Sequence, residues 1–405
     1  MLRSKPDGGA APMGSRWFIL GVLFVARTAV GFQFQSVAST APGMIADFHL
    51  DYAAIGTLIG FYNLPGILMA LPSGLFGRRF GDRAIYAAGL LLMAAGGAVM
   101  GASDGLSLAL VGRLVSGAGA VLFGLALTKM VTDWFAGREI VVAMGVFLAS
   151  WPFGIVLGLL LQGPMADHVG WRWVMHVAAL LCVLALLLLL AAYRPPSKAA
   201  ATSTHAGPVG SLPPLRQVLP LTVASVMWAS LNLGLVIFFS FVPGALRERQ
   251  VEASRAAALT SAALWILMVS VPVGGYLAQR HGRTAASIVL FSIVAGLALA
   301  LLPAGMLPLL LCVAFGIAVG PPAGPIMALP SRVLDAGHRA VGFGLFYTCY
   351  YVILTVGPAV AGWARDLSGS AAAALFLGAA LFLAIPPLLL LFHRLETGSR
   401  AAAPG

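Results

Sequence analysis

The chain carries very little charge. Only 9% of its 405 residues are Asp, Glu, Lys or Arg, whereas soluble domains carry about 25%. Residues of the apolar and aromatic types make up 60% of the chain. A chain this poor in charge cannot coat a soluble globule, so we predict that its outer surface faces lipid. The net charge of +11 would suggest nucleic acid in a soluble protein. Here the basic residues lie in short loops between apolar runs, so no nucleic-acid partner is expected.

Cysteine and the motifs of common enzymes are also scarce. The three cysteines, Cys182, Cys312 and Cys349, each lie inside an apolar run and have no metal-ligand spacing. This excludes a disulfide framework and a metal cluster. The sequence has no Walker A motif, so ATP-driven transport is not supported. It also has no nucleophile elbow and no paired carboxylates, so we predict a protein that is not an enzyme and that uses no metal or cofactor.

Carboxylates are missing from the middle of the apolar runs. All 13 Asp and Glu residues lie in loops or near the ends of the runs. Proton-coupled exporters of cations commonly use a carboxylate within the membrane, so this pattern disfavours that class. The ionisable residues inside the runs are instead the cations Arg27, Arg113 and Lys129.

Twelve apolar runs are long enough to cross a bilayer, which takes about 20 residues for each helix. The predicted spans are 17–38, 53–76, 84–102, 106–131, 140–162, 172–193, 217–243, 257–279, 284–303, 307–330, 340–362 and 371–392. Pro303 and Pro308 divide the uncharged stretch that would otherwise be too long for one helix. The pattern predicts an all-α membrane protein with two six-helix bundles.

A polar segment with five prolines separates the two sets of six spans and is typical of a flexible linker. We therefore predict an N-terminal tail, an N-terminal bundle, a linker, a C-terminal bundle and a C-terminal tail, at 1–15, 16–193, 194–215, 216–394 and 395–405. Most of the 24 Lys and Arg residues lie on the side of the termini. The positive-inside rule then predicts a multi-pass protein of the inner or plasma membrane with both termini in the cytoplasm.

A basic, glycine-rich turn follows the second span, and a second copy of it follows the eighth span. The first copy reads G-L-F-G-R-R-F-G-D-R from Gly74, and the second reads G-Y-L-A-Q-R-H-G-R-T from Gly275. The first copy resembles the loop of the major facilitator superfamily, Gly-x-Leu-x-Asp-Arg-x-Gly-Arg-Arg. Arg113 with Gly117 and Gly119 is similar to that family's fourth-span motif. The resemblance covers about residues 16–394.

This resemblance implies the major facilitator fold, transport by alternating access and a loop that acts as a cytoplasmic latch. The expected latch residues are Gly74, Arg78, Arg79, Gly81, Asp82, Arg83, Arg280, Gly282 and Arg283. Arg78 and Asp82 carry the reverse of the family's usual signs. The turn before the fifth span, and the aromatic residue before Pro152, look similar to the cyanate, nitroimidazole and nitrate/nitrite branches. The eighth span lacks the arginine of the nitrate transporters, which weakens that assignment.

Arg27 lies about eleven residues into the first span, where an arginine costs about 2.5–3.5 kcal/mol to insert. We expect it to face a water-filled cavity and meet an anion, and the alternative is a structural role with backbone carbonyls as partners. Lys129 lies near a span end and either faces the cavity or extends to the interface. The expected substrate-binding residues are Arg27, Gln35, Tyr62, Asn63, Arg113, Trp151, Trp228, Asn232, Trp265, Tyr347 and Tyr351.

Intramembrane cations without intramembrane acids favour secondary transport of a small organic or inorganic anion, with a proton or a counter-anion as a coupling partner. The alternative is an exporter of neutral or hydrophobic small molecules that uses the aromatic faces. A sensor or scaffold without transport activity is a third hypothesis. The expected partners are a small-molecule substrate and the lipid bilayer, and a monomer is expected.

Overall fold

The computed structural model describes residues 13–69, 73–135, 139–193 and 212–401. For 13–15, 73–82, 125, 141, 336, 340 and 398–401 only the backbone is described. Within these ranges the chain is helical and contains no strand. The thirteen α-helices are α1 (Met13–Phe48), α2 (Tyr52–Phe61), α3 (Leu64–Met69), α4 (Ser73–Gly101), α5 (Leu106–Phe135), α6 (Ile140–Val169), α7 (Trp171–Ala192), α8 (Leu215–Glu248), α9 (Ala253–Arg280), α10 (Thr284–Leu301), α11 (Pro308–Val333), α12 (Arg339–Ser368) and α13 (Ala371–Ala401).

The described part of the chain has twelve segments that are long and apolar enough to cross a membrane. This confirms the predicted fold class. Helices α2 and α3 together form the second span, and each other helix forms one. The division at Pro303 and Pro308 is also confirmed, since a 3₁₀ turn at Leu302–Ala304 separates α10 from α11. Most of the predicted linker lies outside the described residues.

Several helices are longer than the apolar runs that predicted them. Helix α1 continues to Phe48, where the run ends at residue 38, and α8 continues to Glu248. An apolar run measures only the part of a helix that lies in hydrocarbon. The helix itself continues until its terminal carbonyls find other partners.

Successive spans run in opposite directions, so the bundle has two distinct ends. We call the end at which α1 begins and α13 ends the terminal end. The other end, with the hairpins at 48–52, 248–253 and 368–371, is the distal end. Helices α1 to α7 form one half of the molecule and α8 to α13 form the other. The orientation of these ends in a membrane stays a prediction.

The two halves meet along a seam between the second span and α12. The seam starts where Gly362 packs on the Tyr52 carbonyl, and it continues with Gly56 against the carbonyl of Pro358 and Gly60 against that of Thr355. A Cβ atom on any of these three glycines would overlap the facing carbonyl oxygen. Gly56 and Gly60 form a Gly-x-x-x-Gly pair, which allows close backbone approach between membrane helices.

At the distal end, a carboxylate of the C-terminal half caps a helix of the N-terminal half. The amides of Tyr52 and Ala53, at the start of α2, donate to the carboxylate of Asp366 on α12 at 2.9 and 2.8 Å. The guanidinium of Arg365 lies 3.6 Å from the centre of the Tyr52 ring and donates to Glu248 at 2.9 Å. A carboxylate stabilises the positive end of a helix, so these contacts hold the halves together at the distal end.

We predict that Gly60→Ala separates the halves along this seam. The added methyl group overlaps the Thr355 carbonyl, and overpacking of this kind costs about 1–3 kcal/mol. The measurement is the thermal unfolding midpoint in detergent, together with a spin-label distance across the distal end. Gly163→Ala is the matched control, because a Cβ atom there meets no atom within 4 Å. An unchanged midpoint and distance for Gly60→Ala would contradict the prediction.

Candidate functional site

The second span is broken in its middle, which the apolar pattern alone did not predict. Helix α2 ends at Phe61 and α3 begins at Leu64, with Tyr62 and Asn63 in a turn between them. Pro65 explains the break, because it has no amide hydrogen to donate to the Phe61 carbonyl and its ring would clash with that carbonyl in a continuous helix. Discontinuous helices at this depth often form the binding sites of transporters.

Arg113 of α5 holds this break in place. The Tyr62 amide donates to the Gly60 carbonyl instead of continuing the helix, so the Leu58 carbonyl lacks its usual partner. The Nε atom of Arg113 donates to that Leu58 oxygen at 3.0 Å. Its two Nη atoms donate to the carbonyls of Gln33 and Phe34 on α1, at 3.1 and 2.8 Å.

Arg113 is completely buried, and its charge is balanced by carbonyl dipoles and aromatic rings. The guanidinium carbon lies 4.5 Å from the centre of the Tyr62 ring and 5.6 Å from that of Phe34. All three of its nitrogen atoms are engaged by backbone carbonyls. The geometry is therefore that of a residue that positions α1 and α2, and a substrate contact by Arg113 stays a prediction.

An aromatic cluster joins the two halves beside the break. Phe34 of α1 lies 5.2 Å from Tyr62 and 5.7 Å from Trp151 of α6, measured between ring centres. Phe239 of α8, in the other half, lies 6.0 Å from Phe34 and 6.1 Å from Trp151. We call these four residues the seam cluster. Phe34 and Phe239 are core residues, and neither was singled out as a site residue by the sequence reasoning.

Several polar atoms on seam-cluster residues, or on residues next to them in the sequence, are buried without a hydrogen-bond partner. They include the Tyr62 hydroxyl, Nδ2 of Asn63 and Oε1 of Gln35. The Nε2 atom of Gln35 donates to Ser39 Oγ at 3.1 Å, so only its oxygen is unpaired. Burying a polar atom without a partner costs free energy. These atoms offer a ligand the Tyr62 hydroxyl, the Asn63 amide nitrogen as a donor and the Gln35 amide oxygen as an acceptor.

Arg27 makes the contacts of the structural alternative. Its Nη1 atom donates to the Phe147 carbonyl on α6 at 2.9 Å, and its guanidinium carbon lies 4.3 Å from the centre of the Phe147 ring. Lys129 forms an ion pair with Asp133, one turn further along α5, at 2.8 Å. The lysine side chain is half exposed, as expected for a residue that extends to the interface.

Three of the other predicted site residues, Trp228, Tyr347 and Tyr351, belong to a second aromatic group. Trp228 of α8 faces Tyr350 of α12 at 6.5 Å, and the ring of Tyr350 contacts those of Tyr347 and Tyr351. Gly66 of α3 packs directly on the Tyr351 ring. The predicted contact residue Asn232 uses its Nδ2 atom to donate to the Trp228 carbonyl at 2.8 Å.

Trp265 of α9 is 46% exposed and contacts Phe153 of α6, in the other half, at 5.5 Å between ring centres. The structure therefore brings Tyr62 and Trp151 together around Phe34 and places Trp265 at a separate contact between the halves, where α9 packs on α6.

Only part of the predicted latch lies within the residues whose side chains the structure describes. The expected latch side chains before Arg83 lie outside the described residues: Gly74, Arg78, Arg79, Gly81 and Asp82. In the second copy, Arg280 donates to the Tyr276 hydroxyl at 3.3 Å. Gly282 has a φ of +63°, a conformation that favours glycine, and it lets the chain turn into α10 after Arg283.

We predict that Arg113→Met destabilises the protein strongly. The substitution leaves the carbonyls of Leu58, Gln33 and Phe34 without the arginine donors, at roughly 1–3 kcal/mol for each orphaned acceptor. The unfolding midpoint in detergent should fall well below that of Arg247→Met, which truncates an exposed arginine at the distal end. Equal midpoints for the two variants would show that Arg113 does not position α1 and α2.

Comparisons with known proteins agree with this architecture. The chain is 28% identical to the acurin A biosynthesis cluster MFS-type transporter of Aspergillus aculeatus, over 42% of this chain and 31% of that protein. It is 28% identical to the puromycin resistance protein pur8 of Streptomyces alboniger, over 45% of this chain and 38% of that protein. The matches therefore span about a third of the length of these curated relatives.

The fold also matches that of a solved bacterial homologue of the human lysosomal transporter Spinster, in an inward-facing and occupied conformation. The TM-score is 0.70 at 17% identity, and the match covers 97% of this chain and 98% of that one. The Major Facilitator Superfamily model matches residues 23–358. With two six-span halves, a broken second span and this match over most of its length, the chain belongs to the major facilitator superfamily.

Proposed function

We propose that the chain is a secondary transporter that exports a neutral or hydrophobic small molecule by alternating access. The observation that carries this proposal is the seam cluster, in which Phe239 of one half contacts Phe34 and Trp151 of the other. An aromatic wall with a few polar atoms is typical of small-molecule sites. The unpaired hydroxyl of Tyr62 and amide groups of Gln35 and Asn63 would orient the ligand.

The cluster is also well placed for the conformational step. It lies where rocking of one half against the other separates the Phe239 ring from those of Phe34 and Trp151. A ligand that inserts between these rings replaces contacts between the halves with its own. It thereby couples its binding to the rearrangement, since a ligand shifts an equilibrium only through its differential affinity for the two states.

The known relatives support an export function of this kind. One of them is named as a puromycin resistance protein, and another belongs by name to the acurin A biosynthesis cluster. A further relative, patC of Aspergillus clavatus, is named as an efflux pump, and we extend to this chain only that general activity, the removal of small molecules from the cell. With the termini in the cytoplasm, the terminal end would take up the substrate and the distal end would release it.

Transport of a small anion is a second candidate because of Arg27. Arg27 is half-buried, and no acidic side chain of the described residues pairs with it. The Phe147 carbonyl and ring account for its burial without a substrate. The two candidates therefore differ in which residue the ligand needs, Trp151 or Arg27.

We predict that Trp151→Ala removes substrate binding and that Arg27→Gln does not. A thermal-shift screen of neutral aromatic compounds and of anions against the purified protein first finds a stabilising ligand, because a bound ligand raises the midpoint by mass action. Loss of a central aromatic anchor costs about 2 kcal/mol or more, so Trp151→Ala should weaken a neutral ligand by at least about tenfold.

Trp173→Ala is the matched control, since that tryptophan is 60% exposed and lies on α7. Export is then measured as accumulation of the same ligand in inside-out vesicles. Stabilisation by anions alone, lost in Arg27→Gln and kept in Trp151→Ala, would reject the neutral-ligand proposal in favour of the anion candidate.

A further inference from the structure

A long apolar groove lies on the outer side of the C-terminal half, away from the seam cluster. Helices α9 and α10 form its walls, and Ile317 and Pro321 of α11 form its floor. It encloses about 860 Å³. Along α9 it extends from Trp265 to His281, roughly 24 Å at 1.5 Å per residue. This exceeds the roughly 15 Å that one leaflet contributes to the hydrocarbon core, so the groove is long enough for an acyl chain.

The groove changes character at the terminal end, where it becomes cationic. His281 and Arg283 line it there, and Arg280 lies beside them at the end of α9. None of the described residues that line the groove is acidic. Arg283 makes no ion pair or hydrogen bond through its side chain with any residue that the structure describes. An apolar groove with a basic end at the level of the membrane surface is complementary to a lipid with a negative headgroup.

The start of α10 provides a second group of donors at the same place. Arg283 is the N-cap residue of this 18-residue helix, and no side chain caps it. The free amides of its first turn therefore present the positive end of the helix dipole. Ser287, one turn into α10, lines the groove and is only 8% exposed. Its hydroxyl has no hydrogen-bond partner, in contrast to the groove's Ser270, which donates to the Ile317 carbonyl at 2.6 Å.

We propose that this groove binds an anionic phospholipid from the leaflet at the terminal end. One acyl chain lies along α9 towards Trp265, and the phosphate contacts the Arg283 guanidinium and the first-turn amides of α10, with the Ser287 hydroxyl as an additional donor. Because Trp265 also contacts Phe153 of α6, the lipid reaches the place where α9 packs on α6 of the other half. The second copy of the basic turn is then a lipid site in addition to any latch function. The proposal does not depend on which substrate is transported.

The experiment uses the purified full chain in a neutral detergent. It is titrated in mixed micelles with phosphatidylglycerol or phosphatidylcholine of identical acyl chains, and separately with inorganic phosphate. The unfolding midpoint is recorded at each concentration. We expect phosphatidylglycerol to raise the midpoint at concentrations at which phosphatidylcholine and free phosphate have little effect. Arg283→Gln should weaken the phosphatidylglycerol response by about tenfold or more, because a charge-assisted hydrogen bond is lost.

Two further variants distinguish the contribution of the acyl chain from that of the headgroup, and the loss of lipid binding from a loss of folding. Ala286→Trp fills the groove at an exposed position and should remove the response while the midpoint without lipid stays that of the wild type. Arg247→Gln, an exposed arginine at the distal end, should keep the full response. Equal stabilisation by phosphatidylcholine, a full effect of phosphate alone, or an unchanged response in either Arg283→Gln or Ala286→Trp would overturn the proposal.

Discussion

The close approach of the second span to α12 is the contact on which the rest of the molecule depends. Lipid tails are as apolar as leucine, so no hydrophobic force drives two membrane helices together, and packing and polar contacts must do so. Gly56 and Gly60 meet this requirement by bringing their backbone against the Pro358 and Thr355 carbonyls. The Asp366 carboxylate adds a charged cap from one half to a helix of the other. The halves are thereby aligned closely enough for Phe239 to reach Phe34 and Trp151.

This seam also suits a transporter that has to change shape. Its contacts are van der Waals contacts between smooth backbones and a few exposed hydrogen bonds at the distal end. Such contacts separate without leaving a buried charge behind. The buried arginine, whose separation from its partners would be costly, bonds only within its own half. Arg113 joins α1, α2 and α5, so these three helices of the N-terminal half are held together as one unit.

The intramembrane arginines illustrate how a cation is accommodated without an acid. Both were expected to meet a substrate anion, and both donate to backbone carbonyls and lie against aromatic rings. For Arg113 the carbonyl of Leu58 is available because Pro65 interrupts the helix nearby. The proline therefore creates the turn at Tyr62 and Asn63 and also frees the Leu58 carbonyl that accepts from the arginine.

Much of the architecture follows from the sequence, because the membrane imposes strong rules on it. Length and hydropathy predicted twelve spans and two halves, and the glycine-rich turn and Arg113 motif indicated the family. Tyr62 and Trp151 were also identified as candidates, since polar aromatic residues inside spans are few. Pro65 and the Gly56-x-x-x-Gly60 pair were visible signals for the break and the seam, but a proline in a membrane helix also occurs at a kink without a break.

What the sequence by itself determined is the number of spans and the two-half division, since both depend on the apolar length needed to cross hydrocarbon. Only the tertiary structure decided what each polar side chain bonds to. Whether Arg27 meets an anion or the Phe147 carbonyl depends on how α1 packs against α6. Whether Phe239 reaches Trp151 depends on how closely the halves approach. These distances arise from residues more than 80 positions apart in the chain, and no local pattern records them.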